Sequence, residues 1–159
     1  MSGILGVELS GVTSGAVVNE SLETSIPGVF SCGNVLHVHD LVDYVSQEAS
    51  QAGKYAVKFL AGGDDKSEAS IKVVTDGGVR YSVPQILRPD SMEELTTVRF
   101  RVGNIFKDVD VVAYAGEREI GRYHKRVMAP GEMEQVIIKK SDLLAEGIPS
   151  VYRLTIESK

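Results

Sequence analysis

His37 and His39 are separated by one residue and run straight into Asp40 and Asp43. Imidazoles and carboxylates in so short a segment invite a metal-site reading. Metal sites, however, take ligands fixed by separate elements or set at i, i+4 on one helix. Two histidines two apart in a loop, with no cysteine cluster, do not fit, so we expect no metal and assign the histidines to loop packing. Cys32 is the chain's one cysteine, which rules out a Cys-x-x-Cys pair and an internal disulfide. It reads as a small buried strand residue, and a single thiol fits a reducing compartment. His124 lies among Arg122, Lys125 and Arg126, a basic stretch that reads as a solvent-facing strand protecting a sheet edge. Gly3-x-x-Gly6, Gly62-Gly63 and Gly77-Gly78 lack the spacing that cradles a pyrophosphate. No Ser/His/Asp nucleophile arrangement is legible, so the catalytic residues are unknown at this level.

The elements around these residues follow from the hydrophobic pattern. Gly15 to Asn19 reads as a short strand and Val29 to Cys32 as a second, buried one. A helix is predicted over about residues 40–60, with Asp40 as N-cap and an apolar stripe of Leu41, Val45, Ala49, Ala52, Ala56 and Leu60. Gly62-Gly63 would end it, and the polar residues 64–69 would form a linker. From Ile71 the period changes to two. Strands are predicted at 71–75 and 79–83, as a hairpin about Asp76-Gly77-Gly78, and then at 97–102, 109–115, 119–127, 133–138 and 151–156. Turns fall at 114–117 and 129–132. Seven short strands in about 90 residues predict a two-sheet sandwich of immunoglobulin or fibronectin type.

The segment Glu23-Thr24-Ser25-Ile26-Pro27-Gly28-Val29-Phe30-Ser31-Cys32-Gly33-Asn34 resembles the last FAD-contacting segment of the pyridine-nucleotide-disulfide oxidoreductase superfamily. The pattern there is roughly Thr-x-x-Pro-Gly-(Val/Ile)-Phe-Ala-x-Gly-Asp. The following run to Asp43 resembles a narrower branch: the flavin reductases associated with anaerobic glycerol-3-phosphate dehydrogenase, and sarcosine oxidase alpha-type subunits. The resemblance covers roughly residues 6–62. It implies that Gly33, Asn34, His39, Asp40, Leu41 and Val42 face FAD, and that the residue after the glycine bonds a ribityl hydroxyl. The helix start would aim free N–H groups at the flavin pyrimidine. Asn34 stands where the family has Asp; its amide still bonds a hydroxyl but carries no charge. A histidine donating at the flavin edge is a further implied role.

The resemblance thus implies an α+β chain: residues 1–66 as the incomplete C-terminal tail of a flavin domain, a strand pair plus helix, and residues 67–159 as an all-β accessory sandwich. The implied parent is an FAD-dependent, NAD(P)H-linked oxidoreductase, with the sandwich docking a partner subunit or a second copy. In this chain alone FAD would bind weakly or not at all. The alternatives are a non-enzymatic sandwich acting as an interaction module, and a carbohydrate- or ligand-binding β domain, for which ten aromatics and no Trp are scarce. A homo-oligomer is expected, because the helix stripe would lack its original cover.

Composition bounds the rest. The 43% hydrophobic and 25% charged content is that of a globular chain. Residues 1–69 carry three Lys and nine Asp or Glu; residues 70–159 carry fourteen Lys or Arg and thirteen Asp or Glu. That shift marks a boundary, and no basic stripe interleaved with aromatics points to nucleic acid. No membrane span and no signal peptide are legible, so a cytoplasmic location is expected.

Overall fold

The computed structural model describes residues 5–62 and 69–158. The chain is of mixed α and β character, mostly strands in two sheets. A 3-10 turn, Gly33–Val35, leads through a loop into helix α1, Val42–Leu60. Strands β1 (Ile71–Thr75), β2 (Val79–Val83), β3 (Ile86–Leu87), β4 (Leu95–Val102), β5 (Phe106–Ala115), β6 (Arg118–Met128) and β7 (Glu134–Lys139) follow. A four-residue helix α2, Lys140–Leu143, precedes β8, Val151–Ser158. Residues 64–68 of the predicted linker, and with them the boundary at 66/67, lie outside the described residues. Among the described residues no helix is long and apolar enough to cross a membrane.

One sheet has the order β3-β1-β8-β5-β6 and the other β2-β4-β7. The period-two pattern was a sound guide here. Val98, Phe100 and Val102 of β4 are fully buried, as are Tyr152 and Leu154 of β8. Residues of both sheets feed one core, Ile71, Val111 and Leu154 from one side and Phe100, Val136 and Ile138 from the other. β6 is an edge strand, as its basic character suggested.

The predicted hairpin of 71–75 with 79–83 does not form. β1 pairs with β3 and, in parallel, with β8, whereas β2 pairs with β4 in the other sheet. The Asp76-Gly77-Gly78 turn therefore carries the chain between sheets. Gly77, at φ +57°, passes so close over β8 that a Cβ would lie 2.7 Å from the Ile156 carbonyl oxygen. The glycines mark a close crossing, which sequence alone does not distinguish from a hairpin turn.

The N-terminal region also departs from expectation. Residues 15–19 and 29–32 are not strands; only isolated bridges occur, Leu9 with Ala16, Asn19 with Ile86 and Glu23 with Phe30. The expected strand pair is absent from this region because its backbone groups bond locally in turns, such as Leu22 N–H to Asn19 O and Ser31 N–H to Leu22 O. Its side chains form a second core: Val7, Ala16, Val18, Leu22, Leu36 and Ala52, closed by Val83 of β2. Cys32, half-buried and outside any strand, packs at its edge. Arg88 ties the region to β3. It reaches Glu20 at 3.2 Å, Glu23 at 3.1 Å and the Ser21 hydroxyl at 3.3 Å.

Helix α1 starts two residues later than predicted, and Asp40 is not its N-cap. Leu41 holds that position, with no side-chain cap. The predicted stripe is the inner face only in part. Ala52 is buried and Val45 and Ala56 are half-buried, but Ala49 is exposed, Leu41 and Leu60 are 52% and 83% exposed, and the other buried residue of the helix is Glu48.

Candidate functional site

Glu48 organises the loop that precedes its own helix. Its side chain is fully buried, one and a half turns into α1, and its oxygens collect donors from three directions. The Gly33 N–H donates to Oε2 at 2.7 Å. His39 Nε2 lies 3.0 Å from the same oxygen, and His37 Nε2 lies 2.9 Å from Oε1. From the second sheet, the guanidinium of Arg99 on β4 approaches Oε1 at 3.8 Å. A buried carboxylate needs such partners to remain charged. Burial pushes the Glu48 carboxyl up, but the bonds from His37, Gly33 and His39 outweigh it and hold it below the usual range.

The histidines are as deeply placed, with side chains 0% and 1% exposed. Their rings lie 4.4 Å apart, and Tyr81 meets His37 edge-on at 6.1 Å. Burial lowers the His39 pKa, more strongly than its bond to Glu48 raises it. A neutral His39 donates Nε2–H to Glu48, which leaves Nδ1 as a lone pair. Both Nδ1 atoms are buried without a partner. Cys32 lies near enough that Glu48, after burial, pushes its thiol up.

The loop geometry depends on one glycine. Gly33 has φ +69°, a region L side chains avoid, and a Cβ there would meet Val45 at 3.4 Å. The other sequence-predicted site residues divide. Asn34 is exposed and uses its Oδ1 to accept the His39 N–H at 3.1 Å, leaving its amide NH2 toward solvent. Asp40 accepts from Arg101 at 3.3 Å and from the Met133 N–H at 3.3 Å. Leu41 and Val42 are exposed, at 52% and 79%, beside exposed Val35 and Val38. The structure thus gathers Gly33, His37 and His39 around Glu48 and leaves Asn34, Leu41 and Val42 at the surface.

Sequence reasoning missed Glu48 and Arg99. A signal was present: Glu48 lies three residues past Val45 and four before Ala52, a lone charge within the helix's apolar period. Arg99 alternates with Val98 and Phe100 on β4, so its charge reads as solvent-facing although the helix covers it.

His37, His39 and Glu48 offer ligand atoms within 4.8 Å of one another, the kind of grouping that can hold a cation. Two features oppose that use. Each Glu48 oxygen already has an imidazole Nε2 at 2.9 or 3.0 Å, and a cation would sit beside the Arg99 guanidinium. The group anchors residues 33–39 to α1 and β4, while the two imidazole Nδ1 atoms stay buried without a partner.

The third histidine, His124, sits on β6 with Asp110 at 3.1 Å and Asp108 at 3.3 Å. Nearby Arg122 bridges Asp110, Glu119 and Glu157. This network is a surface ladder across β5, β6 and β8. Comparison with family models, curated proteins and solved structures finds no match to the chain.

Proposed function

We propose that this chain is the C-terminal portion of an FAD-dependent, NAD(P)H-linked oxidoreductase, in which residues 33–42 face the flavin. The observation that carries the reading is the start of α1. Its N-cap residue makes no side-chain bond and the Tyr44 N–H turns back to the Leu41 carbonyl, which leaves the Val42 and Asp43 N–H groups for an acceptor. Around it Val35, Val38, Leu41 and Val42 are all more than half exposed. A helix start with free N–H groups, Asp43 in its first turn and exposed aliphatic side chains in the preceding loop suits the polar pyrimidine edge and flat apolar body of an isoalloxazine. When bound, FAD would supply hydride and electron transfer. This chain's residues would hold the loop in place, through Glu48, and offer N–H groups and the Asn34 amide to the cofactor. In this reading the two-sheet region is an immunoglobulin- or fibronectin-like sandwich that docks a partner subunit or a second copy, and NAD(P)H binds elsewhere in the parent protein.

The test is to express the chain together with the coding sequence upstream of it. Two dinucleotide-binding glycine motifs are expected upstream, and the whole protein should retain flavin absorbance through gel filtration, whereas this chain alone should be colourless. Asn34→Ala in the whole protein should cost about 1 kcal/mol of FAD binding, a several-fold loss; Asn34→Asp should be tolerated. A whole protein without flavin overturns the proposal.

A further inference from the structure

β2 carries an irregularity that places two neighbouring side chains on one surface. Val79 pairs with Val102 and Tyr81 with Arg101, so two steps on β2 match one on β4 and Arg80 is the extra residue of a β-bulge. Successive side chains of a regular strand point to opposite faces. Bulges re-aim a side chain and are frequent beside binding sites. Here Arg80 and Tyr81 both line a groove of about 520 Å³, together with Val12, Val38, His39 and Arg101.

The charges of this groove do not cancel. Asp40 is its one carboxylate, and both of its oxygens are engaged, by Arg101 and by the Met133 N–H. Arg101 is further held by the carbonyls of Val38 and Pro130, each at 3.0 Å. Arg80 is exposed and has no acidic partner among the described residues. The groove therefore keeps one net positive charge. Burial pushes the Tyr81 phenol up, so it stays protonated and can donate. Val12 and Val38, 51% and 66% exposed, give the groove an apolar wall.

We propose that this groove binds a small molecule bearing a single carboxylate next to a short apolar group, with Arg80 as the main charge contact, Tyr81 as a hydroxyl donor, and Val12 and Val38 against the apolar part. A guanidinium offers a fork of N–H groups matched to a carboxylate. One uncompensated charge suits a monoanion better than a phosphate dianion. The groove shares Val38, His39 and Asp40 with the segment proposed to face the flavin, but its charge contact, Arg80, lies outside that segment, and the titration uses this chain without flavin, so it can succeed or fail independently of the oxidoreductase reading.

The probe is sodium butyrate, titrated into the isolated chain at constant ionic strength and followed by backbone amide chemical shifts. Butyrate should shift residues 38–40, 80, 81, 101 and 131, and the neutral isostere butyramide should bind at least several-fold more weakly. Arg80→Ala should weaken butyrate about tenfold, with the fold intact because Arg80 is exposed; Arg80→Lys should retain part of the binding. The inference fails if butyrate shifts nothing in the groove, if butyramide binds as well, or if Arg80→Ala leaves binding unchanged. Tighter binding of inorganic phosphate than of butyrate would overturn the carboxylate assignment.

Discussion

Glu48 shows how one buried charge can fix a loop at a distance from its own backbone. Removing it strands the Gly33 N–H, two imidazole N–H groups and the Arg99 guanidinium at a fully buried site. Breaking a buried pair by deleting one partner typically costs about 3–5 kcal/mol, so Glu48→Ala should lower stability by about that amount in a denaturant melt. Glu48→Gln, which keeps one acceptor oxygen, should cost less. A Glu48→Ala loss below about 1 kcal/mol would mean the loop has another anchor. The site also sets an acid response. The folded-state pKa values of His39 and Glu48 both lie below their ordinary values, 6.5 and 4.5. For each, the unfolded chain binds more protons as pH falls, so the folded state loses stability. The His39 share is complete above about pH 6.5 and is lost as pH drops below it; the Glu48 share is lost below about pH 4.5. Stability should therefore already decline as pH falls from about 6.5 toward about 5.5, before carboxylates protonate. His39→Gln should flatten that slope, and an unchanged slope in this variant would remove His39 as its source.

At the scale of elements, α1 presents two unlike faces. Toward the protein it offers Tyr44, Val45, Glu48, Gln51, Ala52, Tyr55 and Phe59; outward it exposes Leu41, Val42, Val57 and Leu60. Large exposed aliphatics on one helix favour association. Replacing Val42 and Leu60 together with Lys should reduce self-association in light scattering without lowering the melting temperature, since both are about four-fifths exposed. A chain that is monomeric before the substitutions would show that these side chains are tolerated in water. The same helix shows what sequence could and could not reveal. Its existence and its C-terminal limit near Gly62 were legible from periodicity and glycine, and the long strands of both sheets were legible from alternation. Its buried face was not, because the residue at its centre is a glutamate whose partners lie 9, 11, 15 and 51 residues away. Gly15–Asn19 and Val29–Cys32 have strand composition but find no long edge to pair with, so they remain isolated bridges. The Gly77-Gly78 turn has hairpin chemistry, yet the chain it delivers belongs to the other sheet, a choice decided by which strands lie nearby rather than by the turn.

At the scale of the whole molecule, two cores are joined at one strand. The larger core draws only on residues between Ile71 and Leu154, whereas the smaller one needs Val83 of β2 to close it. Backbone bonds cross the same seam: the Gln85 and Ile86 N–H groups donate to the Val18 carbonyl at 3.0 and 3.3 Å. So do the ion pairs of Arg88 with Glu20 and Glu23, Arg99 with Glu48, and Arg101 with Asp40. The dependence is therefore asymmetric. A truncated chain beginning at Ala69 keeps every residue of the larger core and should melt cooperatively, since some 90 residues in two sheets suffice for an independent domain. It should melt below the full chain, because Val83 becomes exposed and three arginines lose carboxylates that now hold them. The complementary piece, residues 1–66, loses Val83, Arg88 and Arg99 and keeps buried Glu20 and Glu48 without their guanidinium partners, so it should not fold alone. Far-ultraviolet circular dichroism of the two pieces separates these outcomes. A molten product from the piece starting at Ala69, or a stable helix in residues 1–66 by themselves, would show that the two cores are one cooperative unit or that the dependence runs the other way.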